Sequence, residues 1–407
     1  MEQPVITKIL GQQFIGNVDA TRGTGNLFNP PIVHEDNYKW IRDDSRKDSK
    51  VLSMLELENE YLQYLMVDTK NTQKNIYNEL LSNIQEDFDT YPLPPTKHGR
   101  QSEYYYFTRF IKDKSYPLYY RNHQSTQKEQ LLVDVNDMVG DHKTFDLSGF
   151  KLNEDQTIMS YGIDTNGSEK YNLHIRRIDN ENGQHQEIEH DIPPLMYCAY
   201  RWVENCIYYY EGTDQNRLYR LWKYNLDTKE NVMLYQCDDE LFHVGLDVNE
   251  DYSVYFLYVT SEETTNLFYF EHVADGIPVF HEFTESRYKH KYSVSKYADT
   301  YYITTNKDDS VNFKVMATQE LGTAESNWYD VIPYNKNQYI SYLTVVNGFM
   351  LIDYKELGNT FLKVIPFVEN KLAVEQSYII QIDDEIKNLG LIQTVFQDKQ
   401  ILFYHTS

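Results

Sequence analysis

The chain has 407 residues with 38 Lys and Arg against 62 Asp and Glu, and its formal net charge of -24 argues against nucleic acid or an anionic membrane as a partner. Aromatic residues make up 15% of the chain and include 37 tyrosines, which favour half-buried strands. The sequence contains no recognisable leader or bilayer-spanning apolar stretch, and its three cysteines form no CxxC motif or disulfide framework. We therefore expect a β-rich, cytoplasmic protein without a membrane anchor.

Residues 1–46 are predicted to form an extended N-terminal arm. The stretch 11–37 has few apolar residues, several glycines and the pair Pro30-Pro31, so we expect no independent fold there. Within it, His34, Glu35 and Asp36 are more typical of a solvated loop than of a metal site.

Residues 47–95 are predicted to form a helical lead segment. Apolar residues recur at helical spacing in two sets, separated by a polar stretch at 69–74, and this pattern predicts two amphipathic helices. The first set is Val51, Leu52, Leu55, Leu62, Leu65 and Met66, and the second is Ile76, Leu80, Leu81 and Ile84. The prolines of Tyr91-Pro92-Leu93-Pro94-Pro95 prevent helix continuation, so we place a domain boundary after Pro95.

Residues 96–407 carry an internal repeat, in which a polar turn precedes an apolar, Tyr-rich strand. The predicted strands span residues 104–110, 158–163, 207–210, 254–259, 301–304, 349–354 and 401–404. They lie roughly 50 residues apart, which is the size of one four-stranded propeller blade. Some units predict a second hairpin as well: Asn166-Gly167 supplies the positive φ of a tight turn before a strand at 171–175.

The even period predicts an all-β fold, a seven-bladed β-propeller preceded by the short α-helical segment. A stack of β-sandwiches has a similar number of strands, but it does not explain so regular a period. A full seventh unit would extend to about position 440. We therefore expect the last blade to be incomplete at Ser407.

Six motifs follow one another between Tyr38 and Tyr171. They are YKWIRDD at 38–44, LELENEY at 55–61, YYYFTR at 104–109, YPLYYR at 116–121, LVDVN at 132–136 and GIDTNGSEKY at 162–171. In order and spacing they resemble the leading part of the prolyl oligopeptidase family of serine peptidases, in particular its oligopeptidase B-like members. The later repeats match that family only in layout.

The resemblance implies a two-domain peptidase. In that family the propeller covers the active site of an α/β-hydrolase domain and admits only short peptides, and the helices before the propeller pack on the hydrolase domain. It also implies that Arg42, Asp43 and Asp44 form a structural ion-pair network that anchors the arm to a neighbouring domain.

The catalytic machinery of such a peptidase is not found in these 407 residues. No Gly-x-Ser-x-Gly string occurs, and the serines nearest to that pattern, Ser148 and Ser168, lie in predicted hairpins instead of a strand-to-helix elbow. We therefore assign no catalytic, cofactor-binding or metal-binding residue.

Three further patterns invite a functional interpretation but are better explained structurally. His185 and His190 flank two glutamates, yet their spacing is not that of His-Glu-x-x-His, and an exposed strand end is the better interpretation. The basic run at 285–291 could contact a partner, but a solvated loop between blades is the better interpretation. The Tyr-rich strands could line a ligand channel, but most of these tyrosines are expected to pack between blades.

Two hypotheses about function remain open at this point. In the first, the chain is the substrate-gating propeller portion of an oligopeptidase B-like serine peptidase, inactive alone, with a separate α/β-hydrolase catalytic chain as its partner and short peptides as ligands of the assembly. In the second, it is a non-catalytic interaction or scaffold propeller derived from such a peptidase. A peptidase cut for structural work would show the same sequence features.

Overall fold

The computed structural model describes residues 2–15, 30–93, 102–179, 184–249, 253–271 and 276–381, together with the backbone of two strands at 388–393 and 402–406. Contacts within the chain divide it into two compact units, Met1–Phe88 (unit 1) and Asp89–Ser407 (unit 2). This division precedes the predicted boundary after Pro95, which itself lies outside the described residues. Residues just beyond Phe88 belong with unit 2 because Thr90 and Leu93 already pair with Thr108 and Tyr106 through main-chain hydrogen bonds.

The arm of unit 1 is partly paired, where an extended segment without its own fold was expected. Strands β1 (Gly11–Ile15) and β2 (Ile32–Asp36) form an antiparallel two-stranded sheet. The indole of Trp40 donates to the carbonyl of Thr7 at 2.9 Å, and this contact ties the segment before β1 to the residues after β2. No sequence pattern predicted the pairing, since each strand mixes apolar with polar residues and buries little of its surface.

Two helices follow the sheet of unit 1, as the apolar spacing predicted. They are α1 (Ser49–Leu65) and α2 (Lys70–Ser82). The carboxylate of Asp48 caps α1 by accepting a hydrogen bond from the amide of Lys50 at 2.8 Å, which satisfies one of the free amides at the helix start.

The apolar side of these helices lies at the surface. Val51 is the only buried residue of α1, and α2 has none. The exposed apolar helix face consists of Leu52, Leu55, Leu62, Leu65, Ile76, Leu80 and Leu81, whose exposed fractions range from 37% for Leu81 to 61% for Leu80. An amphipathic helix normally buries this side, so unit 1 presents a surface of the kind that packs against another structure.

Unit 2 consists of successive antiparallel sheets, numbered here in chain order. Sheet 1 contains β3 (Phe88–Asp89), which spans the boundary between the units, β4 (Tyr104–Phe110), β5 (Leu118–His123) and β6 (Glu129–Asp134); a short helix α3 (Asn136–Val139) follows it. Sheet 2 contains β7 (Asp146–Leu152), β8 (Ile158–Asp164), β9 (Lys170–Arg177) and β10 (Gln186–Glu187), and β11 (Leu195–Met196) also pairs with β9. Sheet 3 contains β12 (Tyr200–Val203), β13 (Cys206–Gly212), β14 (Leu218–Asn225) and β15 (Asn231–Gln236).

The later sheets repeat this order. Sheet 4 contains β16 (His243–Val248), β17 (Val254–Thr260), β18 (Thr265–Glu271) and β19 (His281–Glu282). Sheet 5 contains β20 (Tyr292–Tyr297), β21 (Thr300–Thr305), β22 (Lys314–Thr318) and β23 (Tyr329–Ile332). Sheet 6 contains β24 (Tyr339–Val346), β25 (Phe349–Glu356), β26 (Asn359–Val368) and β27 (Lys371–Leu372), with β28 (Tyr378–Ile379) pairing β26; β29 (Asn388–Gln393) and β30 (Leu402–Thr406) pair with each other.

The predicted Tyr-rich strand of each repeat is the second strand of its sheet. This holds for β4, β8, β13, β17, β21 and β25, and β30 covers the described part of the seventh predicted strand. The repeat therefore corresponds to one sheet of a β-propeller, as expected. Two of the predicted polar turns, at 250–251 and 397–398, lie outside the described residues, and the count of seven blades stays a prediction.

The core of unit 2 lies between neighbouring sheets. Alternate residues of β13 point to opposite sides, so that Ile207 and Tyr209 join a cluster shared with sheet 2, whereas Tyr208 and Tyr210 join one shared with sheet 4. Similar buried clusters lie between sheets 1 and 2, 4 and 5, and 5 and 6. Because sheets 2 to 5 are covered on both faces in this way, their second strands are buried along most of their length, and most of the tyrosines there pack between sheets as predicted.

Two glycines of sheet 2 allow a close approach of the segment that connects sheets 2 and 3. A Cβ added at Gly162 would lie 2.4 Å from the Sγ atom of Cys198, and one at Gly149 would lie 2.5 Å from it. Gly149 also has a φ of +66°, which a residue with a side chain rarely adopts. Cys198 is buried, and burial raises the pKa of its thiol to about 11, so it acts as a small packing residue.

Candidate functional site

The first strands of neighbouring sheets meet through side-chain contacts. Lys151 of β7 donates to the carbonyl of Tyr200 in β12, and Arg201 of β12 pairs with Asp247 of β16 at 2.8 Å. Ser295 of β20 contacts the carbonyl of Leu343 in β24 at 3.4 Å. These contacts bring together the first strands of sheets 2, 3 and 4 and those of sheets 5 and 6, as expected around the central channel of a propeller.

A set of charged residues lies near the end of these first strands, and we call it the inner rim. Its members are Lys151, Arg201, Asp247 and Lys296, from sheets 2, 3, 4 and 5. The ammonium group of Lys296 donates to the Ser253 hydroxyl at 2.7 Å, which links sheet 5 back to sheet 4. Three cations and one carboxylate therefore collect at one end of the first strands in an otherwise acidic chain.

Lys151 is the most perturbed member of the inner rim. Desolvation by burial, followed by the nearby positive charge of Arg201, lowers the pKa of Lys151 to about 8. Its ammonium group lies 4.3 Å from the ring centroid of Tyr200, and the Tyr200 hydroxyl donates to the carbonyl of Gly149 at 2.5 Å. The rim can offer hydrogen-bond donors to peptide carbonyls or carboxylates, but its described residues bring no nucleophile together with a base.

The two serines whose surroundings come nearest to Gly-x-Ser-x-Gly both lie in hairpins. Ser148 lies in β7, and Ser168 lies in the turn between β8 and β9. In that turn Asp164 accepts hydrogen bonds from the amides of Asn166, Gly167 and Glu169, and Gly167 has a φ of +71°. This geometry agrees with the Asn-Gly turn expected from the sequence, and it differs from a strand-to-helix elbow.

Main-chain groups hold the two histidines that flank β10. The Nδ1 atom of His185 accepts from the amide of Asp179 at 3.2 Å, and Nε2 of His190 lies 3.0 Å from the carbonyl of Leu173. Burial lowers the pKa of both imidazoles. Within the described ranges, no three residues among His, Cys, Asp and Glu are arranged to hold a metal ion.

The basic run at 285–291 is a solvated loop only in part. Tyr288 is 73% exposed, but His290 is fully buried. Its Nε2 atom lies 2.8 Å from the hydroxyl of Thr305, and its Nδ1 atom lies 2.9 Å from Oε1 of Glu325. Burial lowers the pKa of His290 to about 4, against the opposing effect of Glu325. The expectation of a solvated loop is wrong for His290, because its partners are distant in sequence and no local pattern identifies them.

The residues singled out in the arm make local contacts in unit 1. His34, Glu35 and Asp36 lie in β2, where a solvated loop was expected. Arg42 pairs with Asp44 at 2.9 Å, and Asp43 accepts hydrogen bonds from the amides of Lys47 and Asp48 at the approach to α1. A hydrogen bond from the Ser45 side chain, followed by these amides, lowers the pKa of Asp43 to about 2.

Comparison with known proteins shows the family to which the chain belongs. Residues 20–407 match the sequence profile of the N-terminal β-propeller domain of prolyl oligopeptidase. The chain belongs to the prolyl oligopeptidase family. It is 22% identical over 377 residues to dipeptidyl aminopeptidase BI of Pseudoxanthomonas mexicana, an alignment that covers 88% of this chain and 50% of that protein.

Solved structures of the prolyl oligopeptidase family share its fold. Oligopeptidase B from Trypanosoma brucei, in a closed form with covalently bound antipain, superposes with a TM-score of 0.85 at 22% identity, covering 100% of this chain and 57% of that one. Oligopeptidase B from Leishmania major superposes with a TM-score of 0.86 at 20% identity and the same coverage. The chain thus spans about half the length of the relatives that it matches. No helix among the described residues is long and apolar enough to cross a membrane.

Proposed function

We propose that this chain is the substrate-gating propeller portion of an oligopeptidase B-like serine peptidase, and that it acts together with an α/β-hydrolase catalytic domain. The observation that carries this proposal is the exposed apolar helix face of unit 1. It belongs to a chain that spans only about half the length of the relatives that it matches. Apolar surface of this extent on a helix pair favours association, because covering it removes the side chains from water.

The face is suited to a large, preformed partner. Its leucines and isoleucines come from both α1 and α2, and each of them is more than a third exposed. In the peptidases of this family the helices before the propeller pack on the hydrolase domain. We therefore propose that a hydrolase domain covers the exposed apolar helix face. The inner rim would then lie along the route of a short peptide that enters through the propeller, where its cations can bind peptide carbonyls and carboxylates.

The proposal assigns the acyl-transfer chemistry to the partner domain. A serine peptidase needs a nucleophile, a His base, an orienting carboxylate and oxyanion donors, and no Gly-x-Ser-x-Gly string is present in these 407 residues. The chain alone is therefore expected to be inactive.

The purified 407-residue chain can be tested with a fluorophosphonate probe and with arginyl and prolyl peptide substrates. We expect no covalent labelling and no turnover, while an active serine hydrolase at the same concentration is labelled fully. Labelling of the chain itself, or cleavage that the probe abolishes, would show that the catalytic residues lie in this chain and would overturn the proposal.

The alternative is a scaffold propeller that binds unrelated proteins. The inner rim is its best support, since an interaction propeller also presents charged residues around its axis. Isolation of complexes from the native cell separates the two functions: a fluorophosphonate-reactive hydrolase in the complex supports the peptidase, and its absence beside other stoichiometric partners supports the scaffold.

A further inference from the structure

The inner rim contains one cation without an anionic partner. Lys151 pairs in register with Ser160 of β8 and lies on the face of sheet 2 that meets sheet 3, since the Ser160 hydroxyl is 2.8 Å from that of Tyr200. The ammonium group of Lys151 donates to the main-chain carbonyl of Tyr200 and lies 4.3 Å from the centroid of its ring. Among the described residues, no Asp or Glu forms an ion pair with Lys151.

The contact with Tyr200 brings Lys151 to the edge of sheet 3. Strand β12 lies at that edge and pairs with β13 on its other side. The ammonium group binds the main chain of this edge strand. In a propeller the first strands surround the central channel, so a peptide in the channel would pass beside this edge.

The ammonium group of Lys151 requires a counter-charge in these surroundings. Its pKa of about 8 leaves it mostly protonated at pH 7. A carbonyl dipole and an aromatic ring stabilise a cation but do not neutralise it, and buried charges in proteins are normally paired. An ammonium group has three N–H donors, of which the Tyr200 carbonyl uses one. Two donors and the positive charge are therefore left for a ligand.

Arg201 places a second cation beside β12. It pairs in register with Tyr208, so its side chain leaves β12 on the side of sheet 4, where its Nη2 atom lies 2.8 Å from Oδ1 of Asp247. Lys151 and Arg201 thus flank β12 from its two sides. Asp247 balances only one of the two positive charges, and one stays unbalanced among these three side chains.

We propose that Lys151 binds a carboxylate group of a short peptide that enters the propeller, and that the charge of Arg201 strengthens this binding. A carboxylate has one negative charge and two oxygen atoms that accept hydrogen bonds from an ammonium group. A cationic ligand group would be repelled, and a neutral carbonyl would leave the charge of Lys151 unbalanced. A polyanion would meet the repulsion of a chain with a net charge of -24. The site deepens the proposed function and rests on it for the source of the ligand, a short peptide inside the propeller.

Calorimetric titration of the full chain with two matched tripeptides tests this proposal. Acetylated Ala-Ala-Ala with a free C-terminal carboxylate is compared, at pH 7 and low ionic strength, with the same peptide as its C-terminal amide. We expect saturable binding of the acid and about tenfold weaker binding of the amide, which has no charge to pair with Lys151. Equal affinities for the two peptides would overturn the proposal, as would the absence of saturable binding by the acid.

Lys151→Met tests which residue binds the carboxylate. Methionine keeps an unbranched side chain against the Tyr200 ring and removes the charge, so the affinity for the acid should fall about tenfold, to that of the amide, without a loss of thermal stability. The matched control is Lys143→Met, which removes the same charge from an exposed position outside the inner rim. An equal loss of affinity in both variants would contradict the proposal, because the attraction would then come from overall charge.

Asp247→Asn tests the same site in the opposite direction and leaves Lys151 in place. It removes the carboxylate that balances Arg201, so we expect the acid to bind about three- to tenfold more tightly. Asp227→Asn, in the exposed turn after β14, changes the net charge equally and should leave the affinity unchanged. This pair decides the question even if Lys151→Met does not fold: an unchanged affinity in Asp247→Asn, or an equal gain in both variants, would refute the site.

A third peptide, acetylated Ala-Asp-Ala amide, distinguishes the two sources of a carboxylate. Binding as tight as that of the acid indicates that an acidic side chain is accepted, whereas binding as weak as that of the neutral amide indicates a requirement for the C-terminus; both results support the site. The titration uses the propeller chain alone, so its failure would leave the pairing with a hydrolase domain intact. Conversely, propeller captured without a serine hydrolase would contradict the proposed function and leave the measured carboxylate binding unaffected.

Discussion

Leucines in the two units have opposite environments. Leu257 in β17 is completely buried between sheets 3 and 4, whereas Leu62 in α1 is 56% exposed. Each sheet of unit 2 finds its apolar partner in the next repeat of the same chain, so the sheets cover one another. The helices of unit 1 have no such repeat, and their apolar face is left for a partner of another kind. The difference separates residues that stabilise the fold from residues that we expect to join the propeller to a catalytic domain.

The same substitution in both units tests this difference most strongly. Leu257→Ala should lower the free energy of unfolding of unit 2 by about 2–5 kcal/mol, because it leaves a cavity in a packed core. Leu62→Ala should lower that of unit 1 by less than about 1 kcal/mol, because the side chain is already in water and alanine favours a helix. Urea unfolding, followed by tryptophan fluorescence and far-ultraviolet circular dichroism, measures both. Equal losses would show that the α1 face is buried within this chain.

Substitution of two glycines by alanine tests how closely sheet 2 is packed. Gly162→Ala places a methyl group within 2.4 Å of the Cys198 Sγ atom, and we expect a loss of about 1–3 kcal/mol from overpacking. Gly245→Ala in β16 is the matched control, since a Cβ there would meet no atom within 4 Å. Thermal unfolding of the two variants gives the comparison. A Gly162→Ala protein as stable as the Gly245→Ala protein would contradict the close approach of Cys198 to sheet 2.

Because of His290, we expect the stability of unit 2 to depend on pH. The pKa of His290 is about 4 in the folded chain and about 6.5 when unfolded, so below pH 6.5 the unfolded state binds the extra proton. Its contribution to stability is therefore complete above pH 6.5 and is lost as the pH falls toward 4. We expect the wild type to lose about 1–2 kcal/mol more than His290→Gln between pH 7 and pH 5.

The control for this pH effect is His243→Gln, at an exposed position in β16. That variant should keep the pH dependence of the wild type in urea unfolding at several pH values. Identical curves for His290→Gln and wild type would mean that His290 is not the buried, neutral imidazole that its contacts with Thr305 and Glu325 describe.

The smallest expected effects concern exposed ion pairs. In the inner rim the side chains of Arg201 and Asp247 are 34% and 62% exposed, and in unit 1 those of Arg42 and Asp44 are 63% and 79% exposed. Double-mutant cycles with alanine should give a coupling below about 1 kcal/mol for the first pair and close to zero for the second. A larger coupling for Arg42 and Asp44 would reverse the order that burial predicts.

The fold could be predicted largely because its signals are local or periodic. The recurring polar turn and Tyr-rich strand identified the second strand of each sheet, and the spacing of Leu55, Leu62 and Leu80 identified both helices. The hairpin of β1 and β2 was missed because neither strand carries a buried apolar pattern. The pairing joins residues as far apart in sequence as Gly11 and Asp36, which no local pattern connects.

The candidate sites were much less predictable than the fold. Lys151 meets Tyr200 and Arg201 meets Asp247 only because neighbouring sheets converge at their first strands. Tertiary structure brings His290 and Glu325 together, and no spacing in the sequence connects them. The interpretation of His190 as no metal ligand stays a prediction, and the contact of its Nε2 atom with the carbonyl of Leu173 could not be foreseen from two histidines flanking glutamates.

The central claim is that this propeller works with a catalytic hydrolase domain, and isolation from the native cell tests it most directly. Material captured with an antibody against the propeller is labelled with a fluorophosphonate probe, and the labelled peptide is identified by mass spectrometry. We predict a labelled serine from an α/β-hydrolase domain in stoichiometric amount. Leu62→Glu and Leu80→Glu together should disrupt the apolar helix face and release a separate hydrolase chain from the complex. If the hydrolase domain is covalently attached to the propeller, the same substitutions should abolish the reactivity of its serine. Captured propeller without a reactive serine would contradict the claim.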